Sequence, residues 1–183
     1  MSWIIPVIRA EDRRAVAALL VRERITKALR PCLGGRSRAE SVARGFAVVP
    51  RQARWVLVHD AARPCMSRAL IRAVLASARR HGAAACGLPA SPTVKAVDEH
   101  GQVRLTLDRE QLWLVQTPQA FRREWFAQAL ARRNGHLGQF SDDASVVEAA
   151  GFPVQMVPGD PLNLKITTRE DVILAEAILR SQC

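Results

Sequence analysis

The stretch WVLVHDAARP, residues 55–64, constrains the fold more than any other part of the chain. Four apolar, β-prone residues run directly into His59, Asp60 and Arg63. A run this short and apolar is expected to be a strand buried on both faces of a parallel sheet. In open α/β sheets ligands bind outside the carboxyl ends of the strands, so a carboxylate and a guanidinium at that end are placed for chemistry. The alternative is a solvated loop after a core strand, because Asp and Arg are ordinary turn residues.

The residues downstream support an α/β layer structure. Residues 67–80 carry Leu70, Ile71, Val74, Leu75 and Ala78 at helical spacing behind Ser67, a suitable N-cap, and residues 83–88 read as a second buried strand. Strand, helix and strand together are expected to form a right-handed βαβ unit in a parallel sheet. Upstream, residues 4–8 read as a short strand and residues 11–20 as a helix with Val16, Leu19 and Leu20 on one face. Between Pro92 and Pro118 the rhythm breaks: two apolar alternations, at 94–97 and 103–107, flank a turn at Glu99, His100 and Gly101. This two-stranded excursion cannot bury both faces alone, so it folds back or reaches a second subunit. Helices are expected near 122–133 and 142–150, a strand at 154–157, and a closing helix. That helix is announced by Thr167 and Glu170 in capping-box spacing, with Val172, Ala175, Ile178 and Leu179 as its buried side.

Composition narrows the function classes. The chain has 183 residues, 49% of them hydrophobic, which fits one domain with a real core. It has no apolar run long enough for a membrane span, and charges at Arg9, Glu11, Asp12, Arg13 and Arg14 stand where a signal peptide needs an apolar core, so a cytoplasmic protein is expected. Cys32, Cys65, Cys86 and Cys183 form no CxxC pair, and His59, His81, His100 and His136 have no metal-ligand spacing; buried or idle thiols are expected. The formal charge of +10 invites a nucleic-acid reading, but the basic residues are spread over the whole chain and aromatics make up only 5%, too few for a stacking platform. Only Lys27, Lys95 and Lys165 are lysines, which makes each of them more informative than the many arginines.

Polar residues gather in four stretches expected to be loops: GGRSRAES (34–41), HDAARP (59–64), QTPQAF (116–121) and PLNLKITT (161–168). The first precedes an expected helix at 38–48, where free backbone N–H groups can meet an anion or a base edge, although a Gly-Gly turn before a helix is also ordinary turn chemistry. Lys165 lies at the end of a short apolar segment ahead of the capped helix. With Asp60 and Arg63 it describes a site for phosphate and Mg²⁺ or, in the alternative, an ion pair closing the edge of the sheet.

In order and spacing these stretches resemble the 2-C-methyl-D-erythritol 4-phosphate cytidylyltransferases of the non-mevalonate isoprenoid pathway. GGRSRAESVARGF, WVLVHDAARPC, LPASPTVKAVD, TLDREQLWLVQTPQAF, FSDDASVVEAAG and DPLNLKITTREDVILAEAIL carry the resemblance, over roughly residues 4–180. It implies a Rossmann-like nucleotidyltransferase sheet with a protruding two-stranded dimerisation arm at about 92–118, and a homodimer that exchanges this arm. It further implies a transferase that joins CTP and the sugar-alcohol phosphate, releases pyrophosphate, and uses Mg²⁺ or another divalent cation.

Carried over position by position, Gly35 and Ser41 match residues on the cytosine and ribose side of CTP. Asp60 matches the acidic residue beside the nucleotide and metal, Ala61 and Arg63 its neighbours in the pocket, and Lys165 the phosphate-contacting lysine. Thr93, Arg109 and Thr117 match methylerythritol-phosphate contacts, Arg109 reaching the other subunit's site, and Ser141 stands where a threonine is common. Asp60, Arg63 and Lys165 are therefore the expected catalytic residues.

Departures from the family pattern are Pro92 and Arg36 where acidic residues are common, and residues 27–31 where a strand is expected. The family's opening AAGxGxRM loop and its PKQ do not occur, so a start-site error or a truncated, N-terminally incomplete domain is expected. Two other readings accompany the enzyme: a pentitol-phosphate cytidylyltransferase, and a catalytically dead dimerising homologue. Neither nucleic acid nor membrane is an expected partner.

Overall fold

The computed structural model describes residues 2–132 and 137–181; Arg133, His136 and Cys183 lie outside the described residues. In chain order the elements are β1 (Val7–Ile8), α1 (Arg13–Arg22), β2 (Cys32–Leu33), α2 (Arg38–Ala47), β3 (Trp55–Val58), α3 (Arg68–His81), β4 (Ala83–Pro89), β5 (Val94–Val97), β6 (Val103–Leu107), β7 (Trp113–Arg122), α4 (Arg123–Arg132), α5 (Asp143–Ala149), β8 (Gln155–Pro158) and α6 (Arg169–Ser181). They belong to two compact units: Met1–Val56 with Arg123–Phe152, and Leu57–Arg122 with Pro153–Cys183.

In the first unit β1 and β2 pair in parallel. The strand expected at 4–8 is shorter than its apolar run, and over 27–31 only an isolated bridge joins Ile4 to Ala28. Ser37 starts α2 by accepting the Glu40 amide at 3.1 Å, while the Glu40 carboxylate accepts the Arg36 amide at 2.8 Å. Gly45 lets α2 lie close to β1, since a Cβ there would stand 2.7 Å from a Val7 methyl. Phe126 of α4 is fully buried and meets Phe46 of α2 edge-on, with ring centroids 5.2 Å apart. Trp125 stacks on Phe152 at 4.7 Å. An ion pair of 2.8 Å joins Arg38, at the start of α2, to the buried carboxylate of Asp143 in α5.

The second unit is built on a four-stranded sheet in the order β3-β7-β4-β8, β3 contributing Leu57 and Val58 to this unit. At its centre β4 begins Ala83, Ala84, Ala85, Cys86, all with no exposed surface. Leu70, Val74 and Ala78 of α3 are buried as their helical spacing predicts, and Ser67 caps the helix by accepting the Leu70 amide. β5 and β6 form a separate antiparallel ribbon, with Val97, Val103 and Leu105 exposed. Among the described residues no helix is long and apolar enough to cross a membrane.

Five expectations are corrected. The sheet is mixed: β4 runs parallel to β8, but β7 lies between β3 and β4 and pairs antiparallel with β4. β3 is consequently an edge strand, half-buried along its whole length. QTPQAF is no loop, because it forms the buried part of β7. Pro118 argues against a central strand, having no N–H to give. The register resolves this: Ala85 faces Gln119 while Cys86 faces Gln116, so Thr117 and Pro118 bulge out of the ladder, and their peptide bond is cis. Finally, the α6 cap sits one residue later, with the Asp171 carboxylate accepting the Thr167 and Thr168 amides at 2.8 and 2.9 Å. Of the expected buried side of α6 only Ala175 is buried, while Val172 and Leu179 are exposed.

The aromatic contact in the first unit generates a stability prediction. Phe126→Ala removes a fully buried ring that is half of an aromatic pair, and is expected to lower unfolding free energy by about 3–5 kcal/mol in urea denaturation.

Candidate functional site

Beyond the end of β3 the chain turns sharply, the Arg63 amide donating to the Asp60 carbonyl at 3.0 Å. The turn is tied to the bulge of β7, where Thr117 Oγ1 accepts the Asp60 amide at 3.0 Å and lies 3.1 Å from His59 Nδ1. The other nitrogen of that ring, Nε2, is 3.0 Å from the Arg63 carbonyl oxygen. His59 thus laces the turn to itself and to β7.

A third segment, residues 159–166, closes on the same place. Gly159 donates to the Gly87 carbonyl at 2.6 Å, and a Cβ on Gly159 would stand 2.9 Å from that oxygen and 2.5 Å from Gln116 Oε1. Only glycine fits this approach. The Gln116 side chain donates to the Asp160 carbonyl and accepts the Asp160 amide. Asn163, fully buried, donates through Nδ2 to the Thr117 carbonyl at 2.8 Å, and its own carbonyl accepts from Arg63 Nη1 at 2.8 Å. The Ile166 amide then donates to the Ala62 carbonyl.

This bracing delivers Lys165. Its Nζ lies 3.2 Å from Asp60 Oδ2; the lysine side chain is 43% exposed and the Asp60 side chain 15%. The ion pair of the alternative reading is therefore present, but one cation in it remains reachable by a ligand. Arg63, by contrast, has its guanidinium tied to the main-chain carbonyl of Asn163. Asp60, Arg63, Thr117 and Lys165 are brought together in the second unit. Ala61 is exposed at the same turn; Thr93 is exposed just before β5, and Arg109, beyond the ribbon, donates to the Ser91 carbonyl.

Gly35 and Ser41 belong to the first unit, in a cavity of ≈ 250 Å³ between the ends of β1 and β2 and the start of α2. Ser41 Oγ accepts the Gly35 amide at 3.0 Å and donates to the Ser37 carbonyl at 2.8 Å. A Cβ on Gly35 would collide with the Glu40 side chain. Arg44 lines the cavity and donates to the Gly34 carbonyl at 2.8 Å, a role its position three residues after Ser41 on one helical face could have announced. Ser141, exposed, stands just before Asp142, the α5 N-cap. Gln116 and Asn163 were also missed; a buried amide among apolar residues is visible only once the bulge that needs it is known.

Electrostatics follow from burial. The Cys86 thiol is pushed up to about 11 by burial, and Cys32 is raised for the same reason. Both stay protonated near neutral pH, and Cys65 is buried. Burial lowers the pKa of His59 from its ordinary 6.5, against the opposing effect of the Arg63 carbonyl and of Asp60.

Compared with known proteins, the chain matches the family model described as IspD, 2-C-methyl-D-erythritol 4-phosphate cytidylyltransferase, over residues 1–181. It is 43% identical over 151 residues to the 2-C-methyl-D-erythritol 4-phosphate cytidylyltransferase of Syntrophus aciditrophicus (strain SB), covering 81% of this chain and 64% of that protein. To the protein of the same description from Synechococcus sp. (strain CC9902) it is 38% identical, across 100% of this chain and 80% of the other. The solved 4-diphosphocytidyl-2C-methyl-D-erythritol synthase from Anaerococcus prevotii DSM 20548 has a TM-score of 0.89 at 30% identity, over 98% of this chain and 82% of that one. The matched part of the chain thus spans less than two thirds of the Syntrophus protein.

The His59 environment has a measurable consequence. Its folded pKa is depressed, so the unfolded chain takes up the proton first, and the stability tied to neutral His59 is present above 6.5 and lost as pH falls from there through the lower folded value. Asp60 and Arg63 are the charges facing the ring. Thermal melting of the parent and of His59→Asn is expected to diverge above that pH and converge below it.

Proposed function

Because this chain belongs to the 2-C-methyl-D-erythritol 4-phosphate cytidylyltransferase family, we propose that it transfers the cytidylyl group of CTP to 2-C-methyl-D-erythritol 4-phosphate. A phosphate oxygen of the acceptor attacks the α-phosphorus of CTP in line. The bond from that phosphorus to the bridging oxygen breaks, and its electron pair leaves with pyrophosphate. The observation that carries this reading is the Asp60–Lys165 pair, held by backbone hydrogen bonds on both sides, with the lysine side chain still partly open to solvent. Phosphoryl transfer asks a protein for position and charge neutralisation more than for covalent chemistry, and a braced cation beside a carboxylate supplies both.

In this reading Lys165 steadies the reacting phosphates, Arg63 shapes their pocket, and Thr93, Thr117 and Ser141 serve the acceptor. The Gly35–Ser41 cavity takes the cytosine and ribose side of CTP. Its mixture of apolar walls with a serine and an arginine suits a nucleoside. Among the described residues no three His, Cys, Asp or Glu side chains gather as a metal cage. Mg²⁺ nevertheless fits, since it is commonly held by one or two carboxylates plus substrate phosphates, and Asp60 is the carboxylate available beside Lys165. When bound, the ion supplies charge neutralisation of the triphosphate. The reading also includes a cytoplasmic location and a homodimer joined through the β5–β6 ribbon. The exposed Val97, Val103 and Leu105 support the dimer, because an isolated two-stranded ribbon is marginal without a covering surface.

Pyrophosphate release tests the reaction. Lys165→Ala is expected to lower kcat by on the order of 10²-fold, the cost of one donor aimed at developing charge. Because the lysine is 43% exposed, it should leave the melting midpoint nearly unchanged. Asp60→Asn is expected to abolish the Mg²⁺ dependence of what turnover remains. Unaltered turnover in both variants, or faster turnover of ribitol phosphate than of methylerythritol phosphate, would overturn the assignment.

The dimer is tested by mixing. If Arg109 serves the partner's site, Arg109→Ala and Asp60→Ala subunits, each inactive alone, should regain turnover on subunit exchange, because one site of each mixed dimer has both residues. Exchange without recovery would place Arg109 in its own subunit or outside the site.

A further inference from the structure

Arg38 and Asp143 stand 105 positions apart in the chain and meet within the first unit, Nη2 to Oδ2, at 2.8 Å. The Asp143 side chain is 3% exposed and that of Arg38 33%. Taking two charges out of water is unfavourable, and apolar side chains of similar volume commonly stabilise a core as well. What the pair adds is direction, since a guanidinium is a rigid planar fork that meets a carboxylate over a narrow range of angles.

Each partner is rooted in a turn. Arg38 is the first residue of α2, where a cation opposes the helix dipole, so it does not stand there for the good of its own helix. Ser37 before it is the cap, and Ser41, one turn later, accepts the Gly35 amide and donates to the Ser37 carbonyl. That turn forms the wall of the cavity at Gly34 and Gly35. Asp143 is likewise the first residue of α5. Asp142 before it accepts the Ser145 amide at 3.0 Å through its side chain and the Ser145 hydroxyl at 2.8 Å through its carbonyl. Ser141 directly precedes this cap. Two capped helix starts thus face each other, joined by the charges at their first positions.

We propose that Asp143 is a positioning residue: acting through Arg38, it clasps the start of α5, with Ser141 ahead of it, to the start of α2, and so fixes the acceptor-side hydroxyl relative to the nucleoside cavity. Which substrates the two turns serve rests on the cytidylyltransferase reading, whereas the clasp does not. In-line attack needs the reacting atoms about 3–3.5 Å apart and aligned, and a misplacement of about 1 Å can cost on the order of 10² in rate. Loosening the clasp leaves each turn its own hydrogen bonds, so each half of the site still binds and the loss falls on their mutual placement.

Asp143→Asn keeps the shape and removes the charge; Arg38→Lys keeps a cation and removes the fork. In pyrophosphate release each is expected to lower kcat about tenfold, with KM for CTP and for methylerythritol phosphate within about threefold of the parent. The double variant is expected to lose no more than the worse single, because both singles break one contact. Losses that multiply in the double variant overturn the proposal, as does a rise in either KM with kcat intact, or unchanged turnover in both singles.

Hydrogen exchange reads the clasp without substrate. Asp143→Asn is expected to speed exchange of the Glu40 and Ser41 amides in α2 about tenfold, and Arg38→Lys that of the Ser145 amide in α5, each effect falling on the helix that was not altered. Acceleration confined to the altered helix overturns the clasp. If the parent releases no pyrophosphate, the cytidylyltransferase reading fails, while exchange across the two helices still decides this one. Melting curves identify a single variant that fails to fold, and the other then supplies the comparison.

Discussion

The polar run of β7 is the constraint on which the second unit depends. Gln116, Thr117 and Gln119 are buried in the middle of a sheet, where each polar atom needs a partner, and Pro118 among them cannot donate. The ladder to β4 cannot serve them all, because Thr117 and Pro118 bulge out of register. Segments from elsewhere supply what is missing: the Asn163 amide reaches the Thr117 carbonyl, and Gln116 exchanges two hydrogen bonds with Asp160. A strand that looks badly chosen for a core therefore recruits two loops, and those loops bring the charged residues. Bulge, turn and lysine segment form one hydrogen-bonded object.

Charge in this object is divided by task. Arg63 is spent on an internal carbonyl, Asp60 is mostly covered, and Lys165 keeps nearly half its surface in water. A planar guanidinium suits the first role because its fork satisfies fixed acceptors, and a compact ammonium on a flexible stem suits the last. In a protein whose basic residues are mostly arginine, lysine stands at the position where reach matters.

The sequence made much of this legible, where a local signal existed. Ser67 and the Leu70, Val74, Ala78 stripe announced α3 to within a residue, and the alternations around Gly101 announced the ribbon. WVLV was recognisable as a strand, and HDAARP and the segment carrying Lys165 as the polar stretches that meet beyond it. Non-local features stayed hidden. That β7 lies between β3 and β4 depends on pairings across the chain, and the proline that argues against a strand is accommodated only by a register shift invisible in one segment. The burial of α6 was overestimated because periodicity names a face without showing what covers it; Ile173 and Leu174 are exposed along with Val172 and Leu179. Gly35 and Ser41 were legible as a turn before a helix, while Arg44 and the Arg38–Asp143 pair needed the fold to give them partners.

Gly87 and Gly159 carry a consequence for descent. The atoms that crowd them include main-chain carbonyls: that of Leu114 lies 2.9 Å from a Cβ on Gly87, and that of Gly87 lies 2.9 Å from a Cβ on Gly159. A clash with a side chain can be relieved by a second substitution, since the neighbour can shrink. A carbonyl belongs to every amino acid, so no change of neighbour makes room. Divergence in chains built on this frame therefore has no compensated path through either position, and drift must go around them.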